Sequence, residues 1–247
     1  GESAGDTLKN DHFSGVKFNY IMANPPFNLK DWWSPTLSDD PRWEYAVPPK
    51  GNANYAWISH ILSHLDDDGK AAVVLSNGTM TGTSKEEFAI RYGLINDNFL
   101  DCIISLPTQL FKNTQIGACI WIFNKKKTRS ETLFINAKDL GRMESKVFRT
   151  LDPEDVSLVA ETYWNWANNA DYNDIPGFCK SATPEDLEFH KYALVPGRYV
   201  GFNVKEVISE NAINLMFERL NRVQSKLDQV ISMCHDTKNV LGEIKNG

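Results

Sequence analysis

The hydrophobic positions change period several times along the chain, and each change marks an expected element. Residues 18–23 (FNYIMA) form a short apolar run ending in Asn-Pro-Pro, the pattern of a buried strand with a loop at its carboxyl end. A polar stretch rich in Trp and Pro follows to Asn52, too long for a plain connection and so expected to be a functional loop. Over residues 53–65, Trp57, Ile58, Ile61, Leu62 and Leu65 recur at helical spacing, and Asp66-Asp67-Asp68-Gly69 is expected to end the helix. Residues 71–75 (AAVVL) have the unbroken apolar character of a parallel-sheet strand. A helix is expected over 84–96, with Ser84 and Glu87 at capping-box spacing. Three more strands follow: 101–106, closed by Pro107, then 116–124 and 133–137, with a hairpin-like lysine turn between the last two.

Strand, helix, strand, helix, strand describes a doubly wound α/β sheet, and the last strands, with no helix between them, predict an antiparallel finish. Residues 152–166 begin as a helix, with Asp152 as N-cap and Pro153 in the first turn. Residues 172–201, aromatic and rich in Pro and Gly, read as irregular packed structure. In the tail, Ile213, Met216, Leu220, Val223, Leu227, Val230, Cys234, Thr237, Leu241 and Ile244 alternate three and four apart, a heptad seam. Such a stripe packs on its own domain or on a partner helix; strict heptad spacing favours the partner. The expected organisation is a catalytic unit over 1–150, a helical and irregular extension over 151–203, and a docking helix over 204–247.

Composition narrows the functional classes. The hydrophobic share of 42% allows a sizeable core. No apolar run approaches the roughly 18 residues of a membrane span. The first residues lack the basic and apolar regions of a signal peptide, and without an initiator Met they read as cut from a longer chain. Cys102, Cys119, Cys179 and Cys234 stand far apart, so neither a zinc site nor a disulfide framework is expected, and a reducing, cytoplasmic setting is the simpler reading. A net charge of −6 argues against holding nucleic acid alone and for help from a partner. The one dense basic cluster, Lys125, Lys126, Lys127 and Arg129, is a solvated turn or a phosphate contact.

The chemistry is concentrated in Asn24-Pro25-Pro26-Phe27, at the carboxyl end of the first strand, where α/β sheets bind ligands. An exocyclic amine on adenine is a poor nucleophile because its lone pair is delocalised into the ring. Accepting both its hydrogens sharpens it: an Asn side-chain oxygen takes one and a neighbouring carbonyl the other. Pro25 has no N–H and a fixed φ, so its carbonyl is aimed without a competing donor, and Pro26 stiffens the next peptide. Phe27 offers a face for a base swung out of the duplex.

An Asn-Pro-Pro-Phe loop after a strand resembles the catalytic motif of amino-group methyltransferases that use S-adenosylmethionine. The wider strings ANPPFNLKDWW, DPRWEYAVPPKGNANYAWISHIL, GKAAVVLSNG, LPTQLFKNTQIGACIWIFN, PGFCKSAT and PGRYVGF resemble the methylation subunit of type I restriction–modification systems over nearly the whole chain. The resemblance implies the second half of a Rossmann-like methyltransferase sheet, α/β with an antiparallel finish and a C-terminal helical extension. It implies N6-adenine methylation of DNA, with Asn24 and Pro25 accepting the amine hydrogens and Phe27 stacking on the flipped base. Asp6, in GDTL, matches the family's acidic position beside the cofactor's adenine ring; it is equally a turn cap. Phe111 and Asn113, within LFKNT, match a region that places a second aromatic against the base, with core packing the competitor for Phe111. Asn52, Asn54 and Tyr55 fall in GNANYAW and shape the pocket or cap the helix. Ser76-Asn77-Gly78 stands where many relatives have Pro-Asn-Gly, expected to be a harmless loop difference.

The implied cofactor is S-adenosylmethionine, with Asp6 and Asn24 beside it, and no metal. The implied partners are DNA, a specificity subunit engaged by the C-terminal helix, a second methylation subunit and a restriction subunit, with no membrane. The family's glycine-rich cofactor loop is not among these residues, so the isolated stretch is expected to bind cofactor weakly and to be inactive alone. Two other readings stay open: a protein-glutamine N-methyltransferase and a non-catalytic assembly module.

Overall fold

A computed structural model describes residues 5–111, 116–202, 217–228 and 231, and the chain divides into two compact units, Gly1–Phe202 and Asn203–Gly247. In chain order the first unit contains β1 (Phe18–Ala23), α1 (Asn54–Ser63), β2 (Leu65–Ser76), α2 (Lys85–Asn96), β3 (Leu100–Ser105), β4 (Ala118–Asn124), β5 (Thr132–Asn136), β6 (Arg142–Ser145), β7 (Phe148–Thr150), α3 (Pro153–Ala167), β8 (Cys179–Ala182) and α4 (Pro184–Phe189). The main sheet has the order β1-β2-β4-β3-β5-β8, and β6 and β7 form a separate two-stranded ribbon.

The pairing follows from the connections. β1 and β2 are parallel and joined through α1. β3 lies parallel to β5, while β4 is inserted antiparallel between β2 and β3. β8 closes the edge antiparallel to β5. This is the expected α/β class with an antiparallel finish, and it corrects one detail. The lysine turn does not make a hairpin, because β3 lies between β4 and β5. All of β3 is buried, Asp101 and Ser105 included, so a fully covered strand occupies an inner position of the sheet between β4 and β5.

Alternation along the strands separates two cores. Ile103, Trp121, Phe123 and Phe134 face one side, packed with Ile58 of α1, Ile90 and Leu94 of α2, and Leu187 of α4. Cys102, Ile104, Leu133 and Ile135 face the other, packed with Trp166 of α3. Helices thus cover both faces, the doubly wound arrangement.

Several boundaries differ from the sequence reading. The Asp66–Gly69 run does not stop α1 in a loop. It is a bulge within β2, where the register jumps from Phe18↔Leu65 to Tyr20↔Lys70. Gly69 is required there, since a Cβ would collide with Leu65. The segment read as irregular contributes β8 and α4; Thr183 caps α4, accepting from the Asp186 N–H at 3.3 Å. The Ser84–Glu87 capping box of α2 forms as expected, both bonds at 3.1 Å. In the second unit residues 217–228 are helical, with Leu220, Val223 and Leu227 exposed. Most of the heptad seam, including Ile213, Met216, Val230, Cys234, Thr237, Leu241 and Ile244, lies outside the described residues. Among the described residues no helix is long and apolar enough to cross a membrane.

Candidate active site

β1 ends at Ala23, and the chain leaves the sheet through Asn24-Pro25-Pro26-Phe27. Two prolines in succession cannot donate to a ladder, so strand pairing stops here and the loop stands free of the sheet. Asn24 is exposed and Pro25 half-buried. Among the described residues neither the Asn24 side-chain amide nor the Pro25 carbonyl has a hydrogen-bond partner. Among the described residues, two acceptors are thus left open at the carboxyl end of a parallel strand. Phe27 is half-buried against the second core, and its ring meets Phe111 edge-to-face at 5.8 Å. The two aromatics expected to flank a base are therefore brought together, although they are 84 residues apart by number. Asn113 lies outside the described residues.

The other expected residues separate into groups. Asn52 and Asn54 come to the site. The Asn52 Oδ1 accepts from the Asn54 N–H at 2.9 Å, so it caps the start of α1, and its Nδ2 donates to Asn28 Oδ1 at 3.2 Å. Tyr55 is turned away from the loop into the core. It is 1% exposed, and its hydroxyl donates to the Thr79 carbonyl at 2.6 Å while accepting from Arg91 at 2.7 Å. At the first turn of α1, adjacent residues point to different sides, and Tyr55 points into the core. Asp6 caps a turn, accepting from the Leu8 and Lys9 N–H groups at 3.2 Å each and pairing with the Lys9 ammonium at 3.1 Å. Burial works against the Asp6 charge, but Lys9 and these bonds outweigh it and hold the carboxyl below its usual range.

Ser76 is not a neutral loop position. It is 2% exposed, and its hydroxyl donates to Asn28 Oδ1 at 3.1 Å. Sequence reasoning did not mark Asn28 and took Ser76 for a harmless loop difference; the available signal was their place directly after Phe27 and at the end of a buried strand.

Most of the basic cluster is spent inside the molecule. Lys125 donates to the Leu65 carbonyl at 3.1 Å, and Lys127 donates to the Leu100 carbonyl at 2.7 Å. Burial brings the Lys127 ammonium down to about 8. Arg129 lies 4.2 Å over the Trp166 ring, leaving Lys126 exposed. Cys102, Cys119 and Cys179 are buried free thiols, and burial pushes Cys119 up to about 12, which suits core packing and not nucleophilic chemistry.

Asp11, His60 and His64 place ligand-type atoms within 4.8 Å of one another. Several of their ligand-type atoms already have partners. Arg42 Nη1 donates to His60 Nδ1 at 3.0 Å, and His64 spans the Val16 carbonyl and the Asp11 carboxylate, 2.8 Å each. The cluster ties the N-terminal segment to α1. A cavity of about 430 Å³ beside it is lined by Phe18, Tyr20 and Met22 of β1 together with Gly5 and Asn10; none of Asn24–Phe27 lines it.

Residues 2–207 match the family model described as N-6 DNA Methylase. The chain belongs to the N-6 DNA methylase family. It is 44% identical over 202 residues to the type I restriction enzyme HindI methylase subunit of Haemophilus influenzae, covering 81% of this chain and 46% of that subunit. It is 34% identical over 212 residues to the MjaIX methylase subunit of Methanocaldococcus jannaschii, covering 81% and 38%. The type I restriction-modification methyltransferase subunit of Streptococcus thermophilus superposes with a TM-score of 0.71 at 28% identity, covering 80% of this chain and 41% of that one. The chain thus spans less than half the length of these relatives.

Proposed function

We propose that this chain is the catalytic part of an adenine-N6 DNA methyltransferase acting as the modification subunit of a type I restriction–modification complex. The observation that carries the reading is the pair of acceptors, Asn24 Oδ1 and the Pro25 carbonyl, at the end of β1, unpartnered among the described residues. The flipped adenine lies against Phe27, with Phe111 at its edge. The two acceptors take the two N6 hydrogens and draw the lone pair out of the ring onto nitrogen. S-adenosylmethionine supplies an activated methyl on a sulfonium. With that group bound, Asn24 Oδ1 and the Pro25 carbonyl would hold the N6 nitrogen toward the methyl, and the N6 proton would pass to water after transfer, so no strong base is required of the protein.

Asn24 and Asp6 are the polar groups suited to the cofactor: an unpaired amide beside the reacting nitrogen and an exposed carboxylate that can accept from an adenine amine. The fit is partial, because Lys9 and two backbone N–H groups already engage Asp6. The match to an N-6 DNA methylase family supports a DNA base over a protein glutamine as substrate. The exposed Leu220, Val223 and Leu227 of the C-terminal helix are the surface we assign to the specificity subunit.

The test is methyl transfer to target DNA by the full-length subunit with its specificity partner. Asn24→Ala is expected to lower kcat about 10²–10³-fold, the cost of losing one preorganised partner of the reacting group. Activity at the wild-type rate would leave the assembly-module reading in its place.

A further inference from the structure

Directly after Phe27 the backbone turns left-handed: Asn28 has φ +53°. That conformation is disfavoured for any residue with a Cβ and persists where the surroundings over-determine it. The partners that do so come from separate elements. The Asn28 N–H donates to Asn54 Oδ1 at 2.9 Å, and Asn28 Oδ1 accepts from Asn54 Nδ2 at 2.9 Å, closing a two-bond ring with the first residue of α1. The same Oδ1 accepts from the Ser76 hydroxyl at 3.1 Å, at the last residue of β2, and from Asn52 Nδ2 at 3.2 Å. The Asn54 Nδ2 also donates to Ser76 Oγ at 3.0 Å. Next along the chain, the Leu29 carbonyl accepts from the Ala53 N–H at 3.0 Å.

Asn54 is 4% exposed and Ser76 2%, so water cannot replace the oxygen they share. The network joins the ends of α1 and β2 to the residue that immediately follows the Asn-Pro-Pro-Phe loop.

We propose that Asn28, Asn54 and Ser76 are positioning residues of the methyl-transfer site, setting the direction of Asn24 Oδ1, the Pro25 carbonyl and the Phe27 ring. The inference rests on the reading proposed above. Among the described residues the two acceptors of the loop have no partners, and the contacts that flank the loop are the sheet on one side and Asn28 on the other. A misplacement of about 1 Å costs a reaction of this kind about 10²-fold.

The side-chain role of Asn28 separates from its backbone role by substitution. Glycine adopts the left-handed turn freely but lacks the shared oxygen. Aspartate keeps an oxygen for every donor that now points at it. In the full-length subunit with its specificity partner, Asn28→Gly is expected to slow single-turnover methyl transfer about 10²-fold with KM for DNA within about threefold of wild type. Asn28→Asp is expected to recover most of that loss. Ser76→Ala removes one hydroxyl at the far side of the network and is expected to slow transfer about tenfold. A duplex carrying 2-aminopurine at the target position should still show the fluorescence rise of a flipped base in all three variants, a readout that general unfolding would abolish.

Wild-type transfer rates in both Asn28→Gly and Ser76→Ala, with Asn24→Ala inactive, would overturn the positioning role alone. Equal impairment of Asn28→Gly and Asn28→Asp would also overturn it. An active Asn24→Ala would overturn the methyl-transfer reading beneath it.

Discussion

His60 shows how one side chain's neighbours set its chemistry. Arg42 has only donors, so His60 Nδ1 must accept, and the ring is neutral in this arrangement. Burial, then the nearby His64 and Arg42, hold His60 down to about 4 from an ordinary value of 6.5. The unfolded chain therefore takes up this proton first as pH falls. The stability it contributes is complete above about pH 6.5 and is lost as pH drops from there toward 4. Urea unfolding across that window should show a falling midpoint in the wild type and a flatter profile in His60→Gln, which keeps an acceptor for Arg42 and cannot be protonated. Equal slopes in the two proteins would show that His60 is not the group responsible.

At this scale the sequence was legible where chemistry is local. Asn24, Pro25 and Phe27 lie within four consecutive residues, and the roles proposed for them follow from side-chain type and from the strand before them. The sequence did not separate Asn54, which bonds to Asn28, from Tyr55, which is turned into the core. Both lie in one string, but successive helical residues turn by about 100°, and only packing shows which one faces the loop.

Among the elements, α2 and the long loop after β1 are locked by a close approach that periodicity does not reveal. Gly93, inside α2, carries the Tyr45 ring directly on its Cα, where any Cβ would collide. The Tyr45 hydroxyl donates to Asp97 at 2.7 Å, clamping the loop over the last turn of α2. Gly93→Ala is expected to destabilise the subunit despite alanine's better helix propensity. Overpacking costs about 1–3 kcal/mol, against a helix gain of about 1 kcal/mol. With Tyr45→Ala already present, the same Gly93→Ala change should become stabilising by about 1 kcal/mol, since only the propensity remains. Thermal denaturation of the four proteins of this cycle measures the change of sign. The absent hairpin between β4 and β5 and the bulge at Asp66–Gly69 belong to the same class: each depends on which strand lies alongside, information that no single segment holds.

For the molecule as a whole, the outer edge of β1 is the feature of consequence. Tyr20 and Met22 are 81% and 89% exposed on β1, the edge strand that leads into the Asn-Pro-Pro-Phe loop. Such an edge is a template for further strands. The relatives, more than twice as long as the matched part of this chain, have residues to supply them. Few polar groups here are placed for a cofactor, and Asp6 is already engaged by Lys9. Residues 1–247 in isolation are therefore expected to bind S-adenosylmethionine weakly or not at all by calorimetric titration, whereas the full-length subunit binds it. Micromolar affinity of the isolated stretch would mean that these residues already form the cofactor site.

Local pattern alone determined the α/β class, the positions of α1, α2 and the central strands, and the loop that carries Asn24. Apolar period, capping residues and prolines act within a few residues of themselves, so they can be read from the chain directly. Tertiary structure decided the insertion of β4, the recruitment of β8, the meeting of Phe27 with Phe111, and the gathering of Asn28, Asn54 and Ser76 around one oxygen. Those depend on which distant segments share a sheet edge or a helix end. Polar side chains such as these carry no period to announce it, and burial gives them a partner only once the fold has closed.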